Sequence, residues 1–470
     1  MRPGEEGRDE GAGGVIAFVA GLKSGGQPTR LAADAVLLPI SKIIRNFVCF
    51  RIVSTNLTER RMSENLQISM RGVEMPESPI RKLAPLAYAA QDRGMKIYRL
   101  NIGQPDLPTP PKALEVLKHI DRTTLEYSPS QGYRSLRQAL VGYYDRYQIK
   151  LRADEIIITS GGSEAVLFAF LSCLNPGDEI IVPEPAYANY MSFAISAGAV
   201  IRTVATTIEE GFCLPKVEKF EELINERTKA ILICNPNNPT GYLYTQKEMN
   251  RIRDLVKKYN LYLFSDEVYR EFIYTGSPYI SAMHLEGIEQ NVVLIDSVSK
   301  RYSECGIRIG ALITKNAEVR KTVMKFCQAR LSPPLIGQLI AEASIEGTEQ
   351  YSREVYDEYV ERRKSLIDGV NRIPGCYTPV PMGAFYTVAQ LPVEDAEDFC
   401  AWCLTDFCWK DEKTPADCAG ETIMMAPAAG FYSTPGMGRN QVRLAYVLNK
   451  HDIQRSLFIL ARALEAYNAR

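Results

Sequence analysis

A lysine and an aspartate occupy positions where such side chains are uncommon. Lys300 closes the segment Ser-Val-Ser-Lys directly after the apolar run 292–296, and Asp266 directly follows the apolar run 261–265. Lysines mostly lie in water, and a buried carboxylate needs a cation or hydrogen-bond donors. Each residue alone is compatible with a structural ion pair. A primary amine can, however, capture an aldehyde, and a buried carboxylate can hold a protonated ring nitrogen.

A possible phosphate site follows another apolar run. Residues 155–159 are followed by Gly161, Gly162 and Ser163 at the start of an apolar helical pattern. Glycines allow a ligand to approach the backbone closely, and the free N–H groups and dipole of a helix start favour an anion. This signal is weak alone, because Gly-Gly before a helix is often a simple turn.

Three further residues lie just beyond predicted strands and carry aromatic or amide groups. Tyr187 follows the run 179–183, and Tyr269 lies three residues after Asp266. Asn238 lies in a loop rich in turn-forming residues, which would hold its amide in a fixed position. Each of these residues is also compatible with ordinary packing.

Together, these residues match the groups of one ligand, pyridoxal 5′-phosphate (PLP), which we predict as the cofactor. The ring would stack on Tyr187, and the ring nitrogen would pair with Asp266. Asn238 and Tyr269 would hold the phenolic oxygen, and Lys300 would capture the aldehyde. The phosphate would be bound by Gly161, Gly162, Ser163, Ser297 and Arg308. No metal site is expected.

The apolar runs that precede these residues predict a sheet. Most are short, rich in Ile, Val and Leu and without polar alternation, which is typical of strands buried on both faces. The predicted strands are 155–159, 179–183, 230–234, 261–265, 292–296 and 309–314. Helical patterns lie between them; in 247–260, for example, Met249, Ile252, Leu255 and Val256 share one face. The alternation predicts an α/β fold with a mostly parallel central sheet, in which ligands bind beyond the carboxyl ends of the strands.

The length of the chain indicates more than one domain. A chain of 470 residues exceeds what one hydrophobic core usually supports. We expect a PLP-binding large domain at 105–345 and a smaller α+β domain built from 62–104 and 346–470. Helices are predicted at 79–93, 348–370 and 452–469. Residues 1–61 are expected to be disordered or not part of the fold, and their acidic start fits a transit segment badly.

Composition excludes several classes of protein. The net charge of -1 gives no electrostatic basis for binding nucleic acid. No apolar run approaches the roughly 18 to 20 residues of a membrane-spanning helix. Eleven cysteines, an odd number in a long chain, favour a reducing compartment, and we predict the cytoplasm. None of the three histidines lies in a zinc-hydrolase motif or beside a plausible nucleophile.

Eight segments give the chain a close resemblance to the class I/II aminotransferases, the aspartate-aminotransferase branch of the fold-type I PLP enzymes. They occur in family order and span about residues 78–470. The segments are LNIGQPDLPTP (100–110), YSPSQGYRSLRQAL (127–140), TSGGSEA (159–165), PEPAYANY (183–190), NPNNPTG (235–241), SDEVY (265–269), SVSKRYSECGIRIG (297–310) and NQVRLAY (440–446).

The resemblance implies a role for each of these residues. Lys300 would form the Schiff base with PLP, and the other residues would make the same cofactor contacts as inferred above. Arg443 would bind the substrate α-carboxylate, with Gly103 and Asn238 also facing the substrate. Tyr127 would reach the phosphate in the neighbouring subunit, which implies a homodimer. The segment between Lys300 and Gly306 departs from the family pattern, and its Arg301 and Glu304 are expected to alter the polarity of the pocket.

The implied activity is transamination. An amino group would pass from an aspartate-like L-amino acid to a 2-oxo acid such as 2-oxoglutarate by a ping-pong mechanism. One alternative keeps PLP and makes the protein a β-elimination lyase of the C–S lyase type. A second alternative, a PLP-sensing regulator, is disfavoured because residues 1–61 lack a helix-turn-helix pattern.

Overall fold

The computed structural model describes residues 66–276, 278–346 and 349–470, and its largest element is a sheet of seven strands. The expectation for residues 1–61 falls outside the described residues. In chain order the strands are β1 (Met95–Arg99), β2 (Ile156–Thr159), β3 (Glu179–Glu184), β4 (Val200–Ala205), β5 (Thr228–Cys234), β6 (Tyr262–Asp266), β7 (Val292–Ser297), β8 (Gly310–Ile313), β9 (Tyr386–Gln390), β10 (Gly420–Met424), β11 (Ala426–Pro427) and β12 (Gln441–Ala445).

The large sheet is mostly parallel, with the order β2-β8-β7-β6-β5-β3-β4. The neighbours from β7 through β6, β5 and β3 to β4 all pair in parallel, whereas β8 is antiparallel to both β7 and β2. Every residue of β2, β3, β7 and β8 is buried, because helices cover both faces. The predicted α/β fold is therefore confirmed.

The sequence analysis missed one strand of this sheet. The six predicted strands begin and end within two residues of the observed bounds, but β4 was not predicted. β4 lies at the edge of the sheet, and most of its residues are exposed or half-buried. Its sequence therefore mixes Arg202 and Thr203 with apolar residues and lacks the continuous apolar run of a central strand.

The helices in the described residues connect the strands of the large sheet and cover the large and small sheets, apart from the short helix Met70–Glu74, which has no buried residue. They are α1 (Met70–Glu74), α2 (Ala84–Asp92), α3 (Pro111–Glu115), α4 (Arg134–Asp145), α5 (Gly162–Cys173), α6 (Asn189–Ala197), α7 (Val217–Glu221), α8 (Gln246–Tyr259), α9 (Val298–Arg301), α10 (Ala317–Arg330), α11 (Leu335–Ile345), α12 (Glu349–Val370), α13 (Ala396–Thr405) and α14 (Lys450–Asn468). The helix predicted at 79–93 begins later than expected, at Ala84, with Pro85 in its first turn.

Helix α8 illustrates how local sequence sets the element bounds. Thr245 caps its start, since its side chain accepts a hydrogen bond from the Glu248 N–H while the Glu248 carboxylate accepts one from the Thr245 N–H. Asn260 ends the helix in a left-handed conformation. The predicted apolar face is buried at Met249, Ile252, Leu255 and Val256.

Two small sheets combine segments from distant parts of the chain. β1 pairs in parallel with β10, and β11, β12 and β9 form a three-stranded antiparallel sheet. Residues Met70–Arg470 form one compact unit, so the division into domains at 104/105 and 345/346 stays a prediction. No helix among the described residues is long and apolar enough to span a bilayer.

Candidate active site

Strands β5, β6 and β7 end at Cys234, Asp266 and Ser297, and all three residues line a cleft of about 560 Å³. Most of the predicted site residues line the same cleft: Gly103, Gly162, Ser163, Tyr187, Asn238, Asp266, Tyr269, Ser297, Lys300, Arg308 and Arg443. Gly161 lies directly behind Arg308. Tyr127 is outside the cleft, with 77% of its surface exposed.

Lys300 projects from a single helical turn into the cleft. Its Nζ atom lies 3.1 Å from the carbonyl oxygen of Gly103 and 3.7 Å from Sγ of Cys305. The turn is α9, and Ser297 caps it by accepting a hydrogen bond from the Ser299 N–H. Among the described residues no carboxylate contacts the Lys300 amine, so it is available to bond a ligand.

Asp266 is a buried carboxylate without a cation bonded to it in the described part of the chain. The Tyr190 hydroxyl donates to its Oδ2 at 2.6 Å, and the Val268 N–H donates to its Oδ1 at 3.3 Å. Burial raises its pKa to about 6, and the hydrogen bond from Tyr190 partly offsets that rise. A protonated ring nitrogen would supply the missing positive charge, so this carboxylate fits the pyridine nitrogen of PLP.

The part of the cleft around Arg308 and the start of α5 fits a phosphate. The Arg308 guanidinium donates to the carbonyl oxygen of Cys305 at 2.8 Å and pairs with no described carboxylate. Gly161 has a φ of +81°, and a Cβ at this position would lie 2.3 Å from Arg308 Nη2, so a side chain here would displace the guanidinium. Helix α5 begins at Gly162, with Ser163 next, and presents its N–H groups to the same region.

Arg443 is a buried arginine that pairs with no acidic side chain in the described part of the chain. It is 1% exposed, and its guanidinium donates to Asn238 Oδ1 at 3.1 Å and to the carbonyl oxygen of Asn101. It lies over the Tyr386 ring, 4.6 Å from the ring centroid. Burial lowers its pKa, and its Nε has no partner among the described residues. A buried guanidinium of this kind is a binding site for an anion such as a carboxylate.

A chain of hydroxyl and amide groups connects Arg443 to the site predicted for the ring oxygen. Asn238 Nδ2 lies 3.3 Å from the Tyr269 hydroxyl, which lies 3.1 Å from the Tyr386 hydroxyl. Burial raises the pKa of Tyr269 well above its usual value, so the phenol keeps its proton and can donate it in a hydrogen bond.

Tyr187 is half-buried at the wall of the cleft. Its hydroxyl accepts a 2.8 Å hydrogen bond from Asn189 Nδ2, and its ring meets the Tyr190 ring edge-on, with centroids 5.4 Å apart. These contacts fix the orientation of the ring.

Arg301 and Glu304 do not lie where the sequence analysis expected. Neither lines the cleft; they are 3% and 2% exposed. Both guanidinium N–H₂ groups of Arg301 donate to the Asp296 carboxylate, at 3.0 and 2.9 Å. The Ser344 hydroxyl contacts Glu304, and burial raises the pKa of this carboxyl group to about 8. Both side chains therefore make buried contacts next to the turn that carries Lys300, and they do not set the polarity of the pocket.

Three residues that contact the predicted site side chains, Tyr190, Tyr386 and Asn101, were not singled out from the sequence. Tyr190 lies three residues after Tyr187, in the first turn of α6, and this short spacing could have suggested it. Tyr386 and Asn101 have no comparable signal. The antiparallel pairing of β9 with β12 brings Tyr386 beside Arg443, and the Asn101 carbonyl reaches Arg443 from a segment more than 300 residues away in the chain.

Comparisons with known proteins found similar sequences and similar folds. The family model for aminotransferase class I and II matches residues 95–446. An aspartate aminotransferase of Pyrococcus horikoshii is 30% identical over 410 residues, which cover 85% of this chain and 97% of that protein. The crystal structure of the Thermotoga maritima aspartate aminotransferase aligns with a TM-score of 0.75 at 27% identity, and an alanine aminotransferase of Pyrococcus furiosus with 0.76 at 28%. Each alignment covers 85% of this chain and all of the other.

Proposed function

The chain belongs to the class I and II aminotransferases, which are PLP-dependent enzymes, and we propose that it moves an amino group from an aspartate-like L-amino acid to a 2-oxo acid such as 2-oxoglutarate. The observation that carries the proposal is Arg443, a buried guanidinium without an acidic partner among the described residues, in the same cleft as Lys300. A buried cation is costly when unpaired, so this site favours a ligand with a carboxylate. The α-carboxylate that amino acids and 2-oxo acids share satisfies that requirement.

The cofactor and the side chains have separate tasks in this reaction. Bound PLP would supply an aldehyde carbon and an electron-withdrawing ring for the chemistry at the substrate Cα. Asp266 holds the proton on the ring nitrogen, because a carboxylate favours a neighbouring cation. Asn238 and Tyr269 orient the ring through its oxygen, and Tyr187 supports one face of the ring.

Lys300 and Arg443 act on the substrate. Arg443 binds the α-carboxylate through two N–H groups and thereby fixes the orientation of Cα, a geometry that a lysine cannot reproduce. Lys300 supplies a primary amine that moves the proton at Cα once the amine is free of its own bond to the cofactor. The carbonyl oxygen of Gly103 accepts a 3.1 Å hydrogen bond from Lys300 Nζ, and both residues line the cleft.

A panel of amino donors tests the reaction. With PLP and 2-oxoglutarate, aspartate should yield glutamate and a new 2-oxo acid, with the parallel double-reciprocal lines of a ping-pong mechanism. Release of pyruvate and ammonia from a β-substituted amino acid, without a 2-oxo acid acceptor, would identify a β-elimination lyase instead.

An arginine variant tests the carboxylate site. Arg443→Ala should lower kcat/KM for the donor by at least about 100-fold, because a charged bidentate interaction is lost. Arg353→Ala is the matched control, since Arg353 is an exposed arginine on α12, away from the cleft. A change within about twofold for Arg443→Ala would contradict the proposed role.

We also propose a homodimer in which Tyr127 contributes to the site of the partner. Tyr127 and two nearby apolar side chains, Leu125 and Leu331, are 77%, 63% and 51% exposed. The Ser128 hydroxyl donates to the Pro333 carbonyl at 3.0 Å, so these segments are adjacent. Sedimentation velocity measures the oligomeric state, and Tyr127→Phe in a dimer should weaken PLP binding.

For localisation we propose the cytoplasm. All cysteines in the described residues are free thiols, as expected in a reducing compartment. Fractionation of the source cells with an antibody against the protein tests this proposal.

A further inference from the structure

One cation in the cleft has no role in the reaction as described above. Among the described residues, four cationic side chains line the cleft, namely Arg81, Lys300, Arg308 and Arg443, whereas Asp266 is the one acidic side chain that does so. The proposed reaction assigns an anion or a bond to three of these cations. Arg308 would face the phosphate and Arg443 the α-carboxylate, and the Lys300 amine would bond the cofactor.

Arg81 lies in the turn that leads into α2. Its backbone N–H donates to the Ser78 carbonyl at 3.0 Å, while its side chain is exposed and has no ion pair or hydrogen bond to another described residue. The cleft wall beside it is Tyr187. Burial raises the pKa of Tyr187, and the positive charge of Arg81 is one of the charges that oppose this rise. The guanidinium therefore lies close enough to Tyr187 to interact with it electrostatically. The side chain is therefore free to bind a ligand that enters the cleft.

The remaining charge indicates the chemistry of that ligand. Once the phosphate and the α-carboxylate are in place, the cleft still has one guanidinium to which no anion is assigned, because Asp266, the acidic side chain in the described lining, is assigned to the ring nitrogen. A guanidinium matches the planar, bidentate geometry of a carboxylate better than any other side chain does. The neighbouring polar groups in the lining, Ser78, Gln104 and Asn189, are uncharged and do not repel an anion.

We infer that Arg81 binds the second carboxylate of a dicarboxylic substrate, so that this chain itself supplies the cation that selects acidic over neutral amino acids. This inference rests on the proposed function and names a specificity-determining residue for it. It differs from an arrangement in which a partner subunit supplies the second cation, because Arg81 lines the cleft of its own chain.

The test uses the PLP-loaded protein and donors without an acceptor, because 2-oxoglutarate is itself a dicarboxylate. The single-turnover half-reaction is followed by cofactor absorbance with aspartate, glutamate and alanine. Arg81→Gln should lower the apparent second-order rate constant for aspartate and glutamate by about 10- to 100-fold and leave that for alanine within about twofold. Arg81→Lys should retain part of the preference, and Arg353→Gln, an exposed arginine away from the cleft, should behave like the wild type.

Binding of unreactive analogues gives a readout that does not depend on turnover. Calorimetry should show that the wild-type protein binds succinate, which has two carboxylates, at least about tenfold more tightly than propionate, which has one. Arg81→Gln should remove most of this difference. Thermal unfolding of each variant shows whether the fold is intact, which is expected for an exposed residue.

The outcomes separate the two hypotheses. If no amino acid reacts with the wild-type protein in the half-reaction, the proposed transamination fails. If aspartate reacts but Arg81→Gln keeps the wild-type ratio of aspartate to alanine within twofold, only the inference about Arg81 is overturned. A wild-type protein that binds succinate no better than propionate also overturns it and leaves transamination intact.

Discussion

The Tyr190 hydroxyl donates a 2.6 Å hydrogen bond to Oδ2 of Asp266 and thereby joins α6 to the end of β6. Both residues are buried, at 1% and 7% exposure. Because no cation is bonded to Asp266 in the described residues, this bond and the one from the Val268 N–H are the contacts that stabilise the carboxylate anion. Tyr190 therefore influences how strongly Asp266 can hold a proton on the cofactor ring.

Tyr190→Phe should slow the chemical step without weakening substrate binding. The loss of the donor raises the pKa of Asp266 further and makes the carboxylate a poorer partner for the ring nitrogen. We expect kcat to fall by about 5- to 10-fold, the equivalent of one hydrogen bond, with the KM for the donor unchanged. Steady-state kinetics measure both constants.

Tyr98→Phe is a matched control for that variant. Tyr98 is also buried, and its hydroxyl donates to Glu421 at 2.7 Å away from the cleft. We expect Tyr98→Phe to lower the free energy of unfolding about as much as Tyr190→Phe does and to leave kcat unchanged. Equal losses of kcat in the two variants would show that the effect of Tyr190 is structural and not specific to Asp266.

Asp266→Asn should change how stability depends on pH in the cofactor-free protein. Burial raises the pKa of Asp266 to about 6, from about 3.8 when exposed, so the folded state binds this proton more tightly than the unfolded state. The free energy of unfolding therefore falls as pH rises from about 4 to about 6, by at most about 3 kcal/mol from this group. Asparagine does not titrate, so the stability of Asp266→Asn relative to wild type should increase across this window and then level off.

Urea unfolding between pH 4 and 8 measures that difference. PLP should reduce the pH-dependent loss in the wild type, because a protonated ring nitrogen favours the ionised carboxylate. Parallel pH profiles for the two proteins would contradict the buried, unpaired state of Asp266.

Gly161→Ala should weaken cofactor binding specifically. The new Cβ would lie 2.3 Å from Arg308 Nη2, so the guanidinium must move from the predicted phosphate site. We expect the Kd for PLP to rise by at least about tenfold, as expected for a misplaced charged contact. Absorbance or fluorescence titration of the cofactor-free protein with PLP measures this constant.

Gly177→Ala separates backbone strain from the clash. Gly177 has a similar φ of +88°, but a Cβ there would meet nothing within 4 Å. An alanine in this conformation lowers the free energy of unfolding by about 1–2 kcal/mol in both variants, whereas only Gly161→Ala displaces Arg308. Similar PLP affinities in the two variants would show that Arg308 does not depend on the glycine.

Arg301→Met should destabilise the fold through Asp296. The Asp296 carboxylate is 1% exposed, and Arg301 and Arg270 keep its pKa low although burial alone would raise it. Removing Arg301 leaves a buried anion whose other cation, Arg270, lies 3.9 Å away. We expect a loss of about 3 kcal/mol in the free energy of unfolding, the lower end of the range for a broken buried pair.

Lys118→Met provides the exposed counterpart. Lys118 pairs with Glu115 at 2.8 Å, with both side chains more than half exposed. Such surface pairs contribute about 0 to 1 kcal/mol, so the expected loss is small. Chemical denaturation of both variants gives the comparison, and equal losses would contradict the buried ion pair at Arg301.

The sequence alone determined the cofactor, the family and the large sheet, because these depend on short segments. Continuous apolar runs predict buried strands, and residues such as Lys300 and Asp266 lie within a few positions of the strand ends that place them. At the edge strand β4 the prediction failed, because an exposed strand lacks the continuous apolar run of a buried one. The roles assigned to individual site residues stay predictions until the variants are measured.

Tertiary structure decided which way individual side chains point and which other elements they contact. The sequence analysis placed Arg301 and Glu304 at the pocket, but only packing shows that they point into the protein and meet Asp296 and Ser344. Likewise, no local pattern identifies Arg81 as a cation in the cleft, because its side chain arrives there from a turn more than 200 residues before Lys300. Local sequence sets the conformation of each element, whereas the direction of a side chain relative to distant elements depends on how all of them pack.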